Sequence, residues 1–195
     1  MSDNKRIVGL HRPEGVEREE HDYYATHPMA ADHLLRLLGW NDAYDRSAKL
    51  IRENSCGEGH LSKMIAANGH KVISTDLIDR GYGITGVDFL EDNFYDTLPY
   101  DATIMNPPYK YALEFIEKSL EQSPIVCAFL RLSFLESKKR KPFFERVPPH
   151  TVAVFSERMA SSKGGKFSKD EKSTVAYAWF IWKRGHEGDT VIKWI

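Results

Sequence analysis

The sequence predicts an α/β fold in which a mostly parallel sheet carries an antiparallel hairpin at one edge. Short apolar stretches typical of strands alternate along the chain with amphipathic stretches typical of helices. This alternation places helical crossovers between parallel strands. The last two strand candidates, residues 151–155 and 175–182, have no helix candidate between them, which predicts the hairpin.

Elements in the first half of the chain follow from local patterns. Pro28 suits a first helical turn, and the leucines after it form one apolar face up to Gly39, which predicts a helix over residues 28–38. A second stretch of helical spacing ends at Asn68–Gly69. The strand candidates of this half are residues 49–54, 71–75 and the short stretch 84–87.

The second half continues the alternation. A buried strand is predicted at residues 101–105, where a double proline ends it, and a helix at residues 111–121. An apolar strand at residues 125–130 precedes a basic helix or turn at residues 138–146. A polar loop over residues 157–173 separates the last two strand candidates.

Length and composition bound the class of protein. The chain has 195 residues, which predicts one domain over residues 23–195 after a loose lead-in at residues 1–22. Hydrophobic residues make up 42% and charged residues 28%, as in globular proteins. No apolar run approaches the roughly 20 residues of a membrane helix, and the N-terminus does not resemble a signal peptide. We therefore expect a soluble, cytoplasmic protein without a membrane partner.

Charge and metal-ligand patterns narrow the partners. The two cysteines and eight histidines show no spacing typical of a metal site, so we expect no metal. A net charge of −1 excludes a uniformly basic nucleic-acid binder. Residues 131–172 nevertheless hold 11 Lys or Arg against 5 Asp or Glu. Such a segment can contact phosphates, or it can be an ordinary solvated surface.

A glycine turn follows the strand candidate at residues 49–54. Gly57 and Gly59 allow the backbone to approach a ligand at the carboxyl end of this strand, where open α/β sheets bind ligands. Asp76 ends the next strand and can accept hydrogen bonds from both hydroxyls of a ribose. The glycines alone fit an ordinary tight turn equally well. Together with Asp76 they favour a nucleoside-containing cofactor.

The charge near this turn favours one cofactor chemistry. The turn carries Glu53 and Glu58, and carboxylates repel the phosphates of a dinucleotide. The same carboxylates favour a sulfonium with an amino-acid tail, which indicates S-adenosylmethionine. Asp88 can accept a hydrogen bond from the adenine amino group while Phe89 packs against the ring. The alternative for Asp88 is a turn or capping role.

The tetrapeptide Asn106–Pro107–Pro108–Tyr109 follows the strand candidate at residues 101–105. Its prolines fix two φ angles and remove two backbone donors, so the loop is rigid. An exocyclic amine conjugated to a ring is a poor nucleophile, because its lone pair is delocalised. The Asn106 side-chain oxygen and the Pro107 carbonyl can accept both amine hydrogens and so direct the lone pair at a methyl group. Tyr109 can stack on a planar substrate, and no general base is required.

These motifs, together with residues 131–136, resemble those of the amino-methylating, S-adenosylmethionine-dependent methyltransferases, especially small phage-type adenine-N6 DNA methyltransferases. The resemblance implies a Rossmann-like methyltransferase fold with a seven-stranded, mostly parallel sheet and helices on both faces. It implies methyl transfer to the adenine amino group of DNA. The cofactor-binding residues that it implies are Tyr24, Thr26, Pro28, Glu53, Cys56, Gly57, Gly59, Asp76, Asp88 and Phe89. The catalytic residues that it implies are Asn106, Pro107, Pro108 and Tyr109.

The chain departs from the family in one respect. The residues after Tyr109 complete the sheet and leave little for a separate target-recognition domain. We therefore predict that Lys163, Lys166 and Phe167, in the loop before the last strand candidate, bind the nucleic acid. A surface loop without that role is the alternative. A specificity subunit or a homo-oligomer as the source of target choice stays open.

Two other functions stay open from the sequence. The same chemistry can act on RNA or on a protein glutamine, because related families carry similar Asn-Pro-Pro-aromatic loops. A binding module can also keep the fold of these enzymes without catalysis. The basic segment at residues 131–172 favours nucleic acid over protein as the partner.

Overall fold

The computed structural model describes residues 24–41, 47–91, 94–157, 159, 161–162 and 175–195, and the predicted lead-in lies outside them. None of the described helices has the length and apolar character needed to cross a membrane. The α-helices of the described residues are α1 (Pro28–Leu38), α2 (His60–Ala67), α3 (Ala112–Gln122) and α4 (Lys141–Arg146). The strands are β1 (Ala25–Thr26), β2 (Leu50–Glu53), β3 (Lys71–Ser74), β4 (Ala102–Met105), β5 (Ile125–Arg131), β6 (Thr151–Val154), β7 (Ser161–Ser162), β8 (Tyr177–Lys183) and β9 (Val191–Trp194).

The main sheet has the strand order β3-β2-β4-β5-β8-β6-β9. β2 pairs in parallel with β3 and β4, β4 pairs in parallel with β5, and β6 pairs in parallel with β9. β8 runs antiparallel to both of its neighbours, β5 and β6. A single bridge between Thr75 and Ile84 continues the sheet beside β3. With that bridge the sheet has eight strands, one more than predicted.

Helices cover both faces of the sheet, as predicted for a Rossmann-like fold. On one face, α1 and α2 pack their buried residues, such as Leu34 and Ile65, against Ile104 and Trp179 of the sheet. On the other face, α3 and α4 pack Ile116 and Phe143 against the sheet. The sheet is therefore the middle layer of three, and its strands read as apolar runs because both faces are buried.

The predicted hairpin forms, but it lies one strand inside the edge. β6 and β8 are its two strands, and β9 adds to β6 as the edge strand. All four residues of β9, Val191 to Trp194, are exposed. An exposed stretch with apolar residues on both faces shows neither the alternation nor the apolar run by which strands are predicted. β9 was therefore not among the strands predicted from the sequence.

One edge of the sheet collects the carboxyl ends of β2, β3, β4 and β5, because these strands run in the same direction. α2 begins directly after the glycine turn, with Gly59 at φ 76° as its capping residue. β1 precedes α1 and pairs antiparallel with β7 in a separate two-stranded sheet. His27 caps α1 by accepting a hydrogen bond from the Met29 amide, which fixes where the β1 segment meets the domain.

Candidate active site

A cavity of about 600 Å³ opens at this carboxyl edge. Its walls come from β1, from the turn after β2, from the segments after β3 and β4, and from residues 87–91. Of the predicted site residues, the cavity wall contains Tyr24, Thr26, Glu53, Cys56, Asp76, Asp88, Phe89, Asn106 and Pro108. Segments up to about 90 residues apart in sequence therefore meet around one space, as the parallel strand order requires.

Asp76 is tied to the glycine turn through both of its carboxylate oxygens. Oδ2 accepts a hydrogen bond from the Gly57 amide at 2.8 Å, and Oδ1 accepts one from the Ile78 amide at 2.9 Å. The Cys56 amide donates to the Thr75 carbonyl at 3.0 Å, which joins the same two segments a second time. Because each carboxylate oxygen has further lone pairs, Asp76 is fixed in place and can still accept hydrogen bonds from a ligand.

The glycine turn requires its two glycines for different reasons. Gly57 has φ 54° and Gly59 has φ 76°, and L side chains rarely adopt such angles. At Gly59 a Cβ would also overlap the Tyr82 ring. Neither glycine lies in the cavity wall, so both act by shaping the turn that carries Glu53 and Cys56 to the cavity.

Glu53 is buried at the end of β2, with 2% of its surface exposed. Its Oε2 accepts a hydrogen bond from the Ser62 hydroxyl, which is also 2.6 Å from the Ser74 hydroxyl. The pKa of Glu53 is raised to about 8, mainly by burial and to a smaller extent by the charge of Asp76, while the hydrogen bonds from Ser62 oppose the shift. In the free protein Glu53 is therefore largely protonated at neutral pH, and a cation in the cavity would favour its ionised form.

Cys56 lines the cavity but is not a nucleophile. Burial raises the pKa of its thiol to about 12, and the nearby carboxylates of Glu53 and Asp76 act in the same direction. The side chain is 5% exposed. A thiol that stays protonated at neutral pH reacts poorly, so Cys56 contributes a small apolar surface.

Asp88 and Phe89 form the wall opposite the glycine turn. Asp88 is exposed, and its Oδ1 accepts a hydrogen bond from the Leu90 amide at 3.0 Å, which is the turn role that the sequence allowed. Phe89 is buried, with its ring centroid 4.9 Å from that of Phe115 and 4.7 Å from the Arg52 guanidinium. Asp88 thus keeps lone pairs towards the cavity while Phe89 and Phe115 give an apolar wall.

Asn106 directly follows β4 and precedes the two prolines. Its side chain is oriented by Tyr24, the residue before β1. Nδ2 donates to the Tyr24 carbonyl at 2.6 Å, and the Asn106 carbonyl accepts from the Ser55 hydroxyl at 3.1 Å. The carboxamide oxygen has no hydrogen-bond partner among the described residues. Because one amide position is committed to a carbonyl acceptor, the other is fixed as an oxygen. Asn106 therefore offers a hydrogen-bond acceptor at the cavity.

Other predicted residues lie beside the cavity. Pro107 is buried and Pro28 is in the first turn of α1, and neither contributes to the cavity wall. Tyr109 also lies outside the wall, with its ring stacked on Tyr24 at 5.7 Å between centroids and an interplanar angle of 24°. The structure thus places Tyr109 against the Tyr24 ring, at the side of the cavity that Asn106 faces.

Several wall residues were not predicted. Asn54, His60, Lys110 and Tyr111 line the cavity, and each lies within two residues of a predicted motif in sequence. Adjacency to the glycine turn or to the double proline was therefore the signal that could have found them. The contact between Asn106 and Tyr24, 82 positions apart, left no local signal.

The predictions on nucleic-acid binding and on metal binding can be compared only with the residues that the structure describes. Lys163, Lys166 and Phe167 lie outside them, although β7 ends at Ser162 and pairs with β1 beside the cavity. Within the described ranges, no group of three or more His, Cys, Asp or Glu side chains is placed to hold a metal ion.

Comparison with known proteins identifies the fold. No family model matches the sequence, and no curated protein matches it. Among solved structures, the chain is similar to a protein of Pyrococcus horikoshii provisionally named an RNA methyltransferase, with TM-score 0.58 and 19% identity over 84% of this chain and 88% of that one. It is also similar to a class I S-adenosylmethionine-dependent methyltransferase, so named provisionally, of Listeria monocytogenes, with TM-score 0.62 and 12% identity over 88% and 65%.

A third similar structure is the methyltransferase subunit of a type I restriction-modification system from Streptococcus thermophilus, with TM-score 0.60 and 15% identity over 85% of this chain and 45% of that one. The chain thus spans less than two thirds of the Listeria and Streptococcus proteins. At these identities the similarity establishes the fold, which is that of class I methyltransferases.

Proposed function

We propose that the chain is an S-adenosylmethionine-dependent methyltransferase that transfers a methyl group to the exocyclic amino group of adenine in DNA. The orientation of Asn106 carries the proposal. Its Nδ2 donates to the Tyr24 carbonyl, so its oxygen is the atom left for a ligand. An acceptor oxygen at the end of a rigid double-proline loop, next to a cavity lined by carboxylates, suits an amine acceptor beside a cationic cofactor.

The residues of the cavity fit S-adenosylmethionine. Asp76 would accept hydrogen bonds from the ribose hydroxyls, and Asp88 with Phe89 would hold the adenine. Tyr24, Thr26 and Glu53 would hold the amino-acid end, where burial makes the Glu53 carboxylate responsive to positive charge. When bound, the cofactor supplies a methyl group on a positively charged sulfur.

The double-proline loop would prepare the acceptor nitrogen. The Pro108 carbonyl already accepts the Tyr111 amide at 2.9 Å, whereas Pro107 has no hydrogen-bond partner among the described residues. The Asn106 oxygen in the cavity wall would therefore accept one amine hydrogen, and the Pro107 carbonyl, which adjoins the wall between Asn106 and Pro108, would accept the other. Two acceptors held at fixed positions favour a tetrahedral nitrogen whose lone pair points into the cavity. This is catalysis by positioning: the extra proton on the methylated nitrogen would leave to water after transfer, so no general base is required before it.

Nucleic acid is the acceptor class that the chain supports best. Residues 131–172 are basic, and the aromatic rings of Tyr24 and Tyr109 beside Asn106 suit a planar base. The similar structures include a DNA-modification subunit and a protein provisionally named an RNA methyltransferase, so their names do not choose between DNA and RNA. We propose DNA, and a specificity subunit or a second copy of the chain as the source of target choice.

Two experiments test the proposal in sequence. Calorimetry with S-adenosylmethionine should show binding to the folded chain, and absence of binding would remove every catalytic interpretation at once, leaving the non-catalytic binding module. Transfer of tritiated methyl groups is then measured into single-stranded DNA, duplex DNA, RNA and mixed protein. DNA in which deoxyinosine replaces deoxyadenosine is the matched control, because its base carries a carbonyl oxygen in place of the acceptor amine.

We expect the tritium label in DNA. After hydrolysis of that DNA to nucleosides, the label should be found in N6-methyl-2′-deoxyadenosine. Label in RNA alone, or in protein glutamine, would contradict DNA as the acceptor and would still support methyl transfer to an amino group. Undiminished label in the inosine-substituted DNA would contradict adenine as the acceptor.

A further inference from the structure

Arg131 is a cation beside the aromatic side of the site that the mechanism does not use. It is the last residue of β5 and pairs across the ladder with Tyr177, the first residue of β8. Its guanidinium carbon lies 4.6 Å from the centroid of the Tyr109 ring, and its side chain hydrogen-bonds to Tyr177. Tyr109 in turn donates its hydroxyl to that of Tyr177 at 3.3 Å. Arg131 therefore belongs to one cluster with tyrosines of the candidate acceptor site.

No acidic side chain neutralises Arg131 among the described residues. Arg36, Arg52 and Arg146, in contrast, each form an ion pair with a carboxylate at 2.8–2.9 Å. The Nε of Arg131 is buried and has no hydrogen-bond partner in the part of the chain that the structure describes. A half-buried guanidinium that has only phenols around it retains most of its capacity to bind an anion.

The position of Arg131 defines which anion would reach it. The guanidinium lies over the Tyr109 ring, and Tyr24 links that ring to Asn106 by stacking on Tyr109 and by accepting the Asn106 hydrogen bond. A ligand with an anionic group a short distance from an aromatic ring with an amine matches this arrangement. A nucleotide within a strand has both parts, because its phosphodiester is always close to its base.

We infer that Arg131 binds a phosphodiester group next to the adenine whose amine reaches Asn106. The inference rests on the proposed function and adds a residue that holds the strand. The guanidinium is planar and offers several donors to two phosphate oxygens, while the Tyr109 face keeps its plane in place. Four further basic residues, at 138–141, follow Arg131 closely in sequence.

The salt dependence of binding tests the inference. Fluorescence anisotropy of a labelled adenine-containing oligonucleotide is measured with the full chain between about 50 and 200 mM salt. Loss of one phosphate contact in Arg131→Gln should reduce the slope of log K against log salt by about 0.7 for single strands and about 0.9 for duplex. Arg131→Lys, which keeps the charge, should retain the slope. A role limited to orienting Tyr109 would lower methyl transfer and leave the slope of Arg131→Gln unchanged, which would overturn the inference.

Arg184→Gln is the matched control. Arg184 is exposed, follows β8 directly, and so lies at the opposite end of the same strand pair, about 20 Å from Arg131 by strand length. This is about two Debye lengths at physiological salt, so the same change in charge should leave the slope unaltered. An equal loss of slope in both variants would show a general charge effect and would refute a defined contact at Arg131.

A second measurement leaves the protein unchanged, in case Arg131→Gln does not fold. A methylphosphonate linkage, which is uncharged, replaces one phosphate at a time along the oligonucleotide. Wild-type protein should lose affinity sharply at one position beside the adenine, and Arg131→Lys should show the same position. A uniform small loss at all positions would contradict the inference.

The two proposals fail in different ways. If the wild type methylates DNA, but Arg131→Gln does not change the salt slope and no single linkage is sensitive, the role of Arg131 is wrong and the proposed enzyme activity stands. A sensitive linkage without methyl transfer would remove the enzyme and keep the strand-binding role. RNA and DNA oligonucleotides run in parallel identify which strand supplies the phosphodiester.

Discussion

The cofactor side and the acceptor side of the cavity are built differently. The cofactor side, defined by Glu53, Gly57 and Asp76, is held by hydrogen bonds between segments that are close in sequence and adjacent in the sheet. The acceptor side, defined by Tyr24, Asn106, Tyr109, Tyr177 and Arg131, brings together residues from four separate regions of the chain. The first side is acidic and the second aromatic and cationic. The proposed cofactor would therefore meet carboxylates inside the cavity, whereas the proposed strand would meet the aromatic rings and the guanidinium beside it.

The largest effect should come from the acceptor side. Asn106→Ala removes one of two acceptors that position the amine, and loss of a comparable preorganised hydrogen bond costs roughly 10²–10³ in rate. The affinity for S-adenosylmethionine should change little, because Asn106 belongs to the other half of the cavity. Methyl-transfer rates and calorimetry measure the two quantities separately. Asn68→Ala, at the end of α2, is the control, and a parallel loss of cofactor affinity in Asn106→Ala would break the separation between the sides.

The reverse pattern is expected for Asp76. Asp76→Ala removes a charged acceptor of two ribose hydrogen bonds and also releases the Gly57 amide. At about 1.5–3 kcal/mol for each hydrogen bond to a charged group, cofactor affinity should fall by roughly a hundredfold or more. Asp79→Ala, which removes only a local hydrogen bond to the Gly81 amide in the same loop, should bind normally. Calorimetry decides, and unchanged affinity in Asp76→Ala would rule out the assigned ribose contact.

A smaller effect should follow at Tyr109. Tyr109→Ala removes a ring proposed to stack on the acceptor base, and such stacking contributes about 1–3 kcal/mol, so oligonucleotide affinity should fall roughly tenfold. Tyr109→Phe keeps the ring and loses only the hydroxyl contact to Tyr177, so its affinity should remain close to that of the wild type. Anisotropy measures both. Equal losses in the two variants would assign the effect to the hydroxyl and not to stacking.

The smallest effect concerns the pH dependence of the cofactor side. Glu53 has its pKa raised from 4.5 to about 8 by burial, so its protonated form stabilises the free fold at low pH. That contribution is complete below about pH 4.5 and is lost as the pH rises through 8. A cationic cofactor favours ionised Glu53, so its affinity should rise roughly threefold from half a pH unit below 8 to half a unit above.

Calorimetry across this range, in buffers of different ionisation enthalpy, should detect the released proton. Glu53→Gln should flatten both the affinity profile and the unfolding profile, and Glu58→Gln, a half-buried neighbour on the same turn, should leave them unchanged. A wild-type affinity that is independent of pH would remove Glu53 from the cation site.

The sequence predicted the cofactor side better than the acceptor side for a physical reason. Glycine and proline restrict or release φ locally, so the turn at Gly57 and the loop at Pro107 can be recognised without knowing the rest of the fold. Asp76 could be placed because parallel strands end at the same edge. The hydrogen bond from Asn106 to Tyr24 uses a backbone carbonyl as its acceptor. Because every residue has such a carbonyl, the residue types along the sequence do not predict this contact.

Two other features escaped prediction for related reasons. β9 is exposed throughout, so burial left no pattern in its residues. The position of Tyr109 outside the cavity wall depends on Tyr24, Arg131 and Tyr177, which approach it from three different segments. The fold class followed from the order of elements, whereas these details depend on contacts between distant segments.

The reversed direction of β8 has a consequence for how such a chain can diversify. β6 leaves the sheet at Val154, and β8 re-enters it at Tyr177, on the same rim. Both ends of the intervening connection are therefore anchored on the rim where the cavity opens. An insertion between β6 and β8 would begin and end on this rim, so it would not have to cross the sheet or the helices that cover it. New selectivity could therefore be added there without a change in the sheet and its helices.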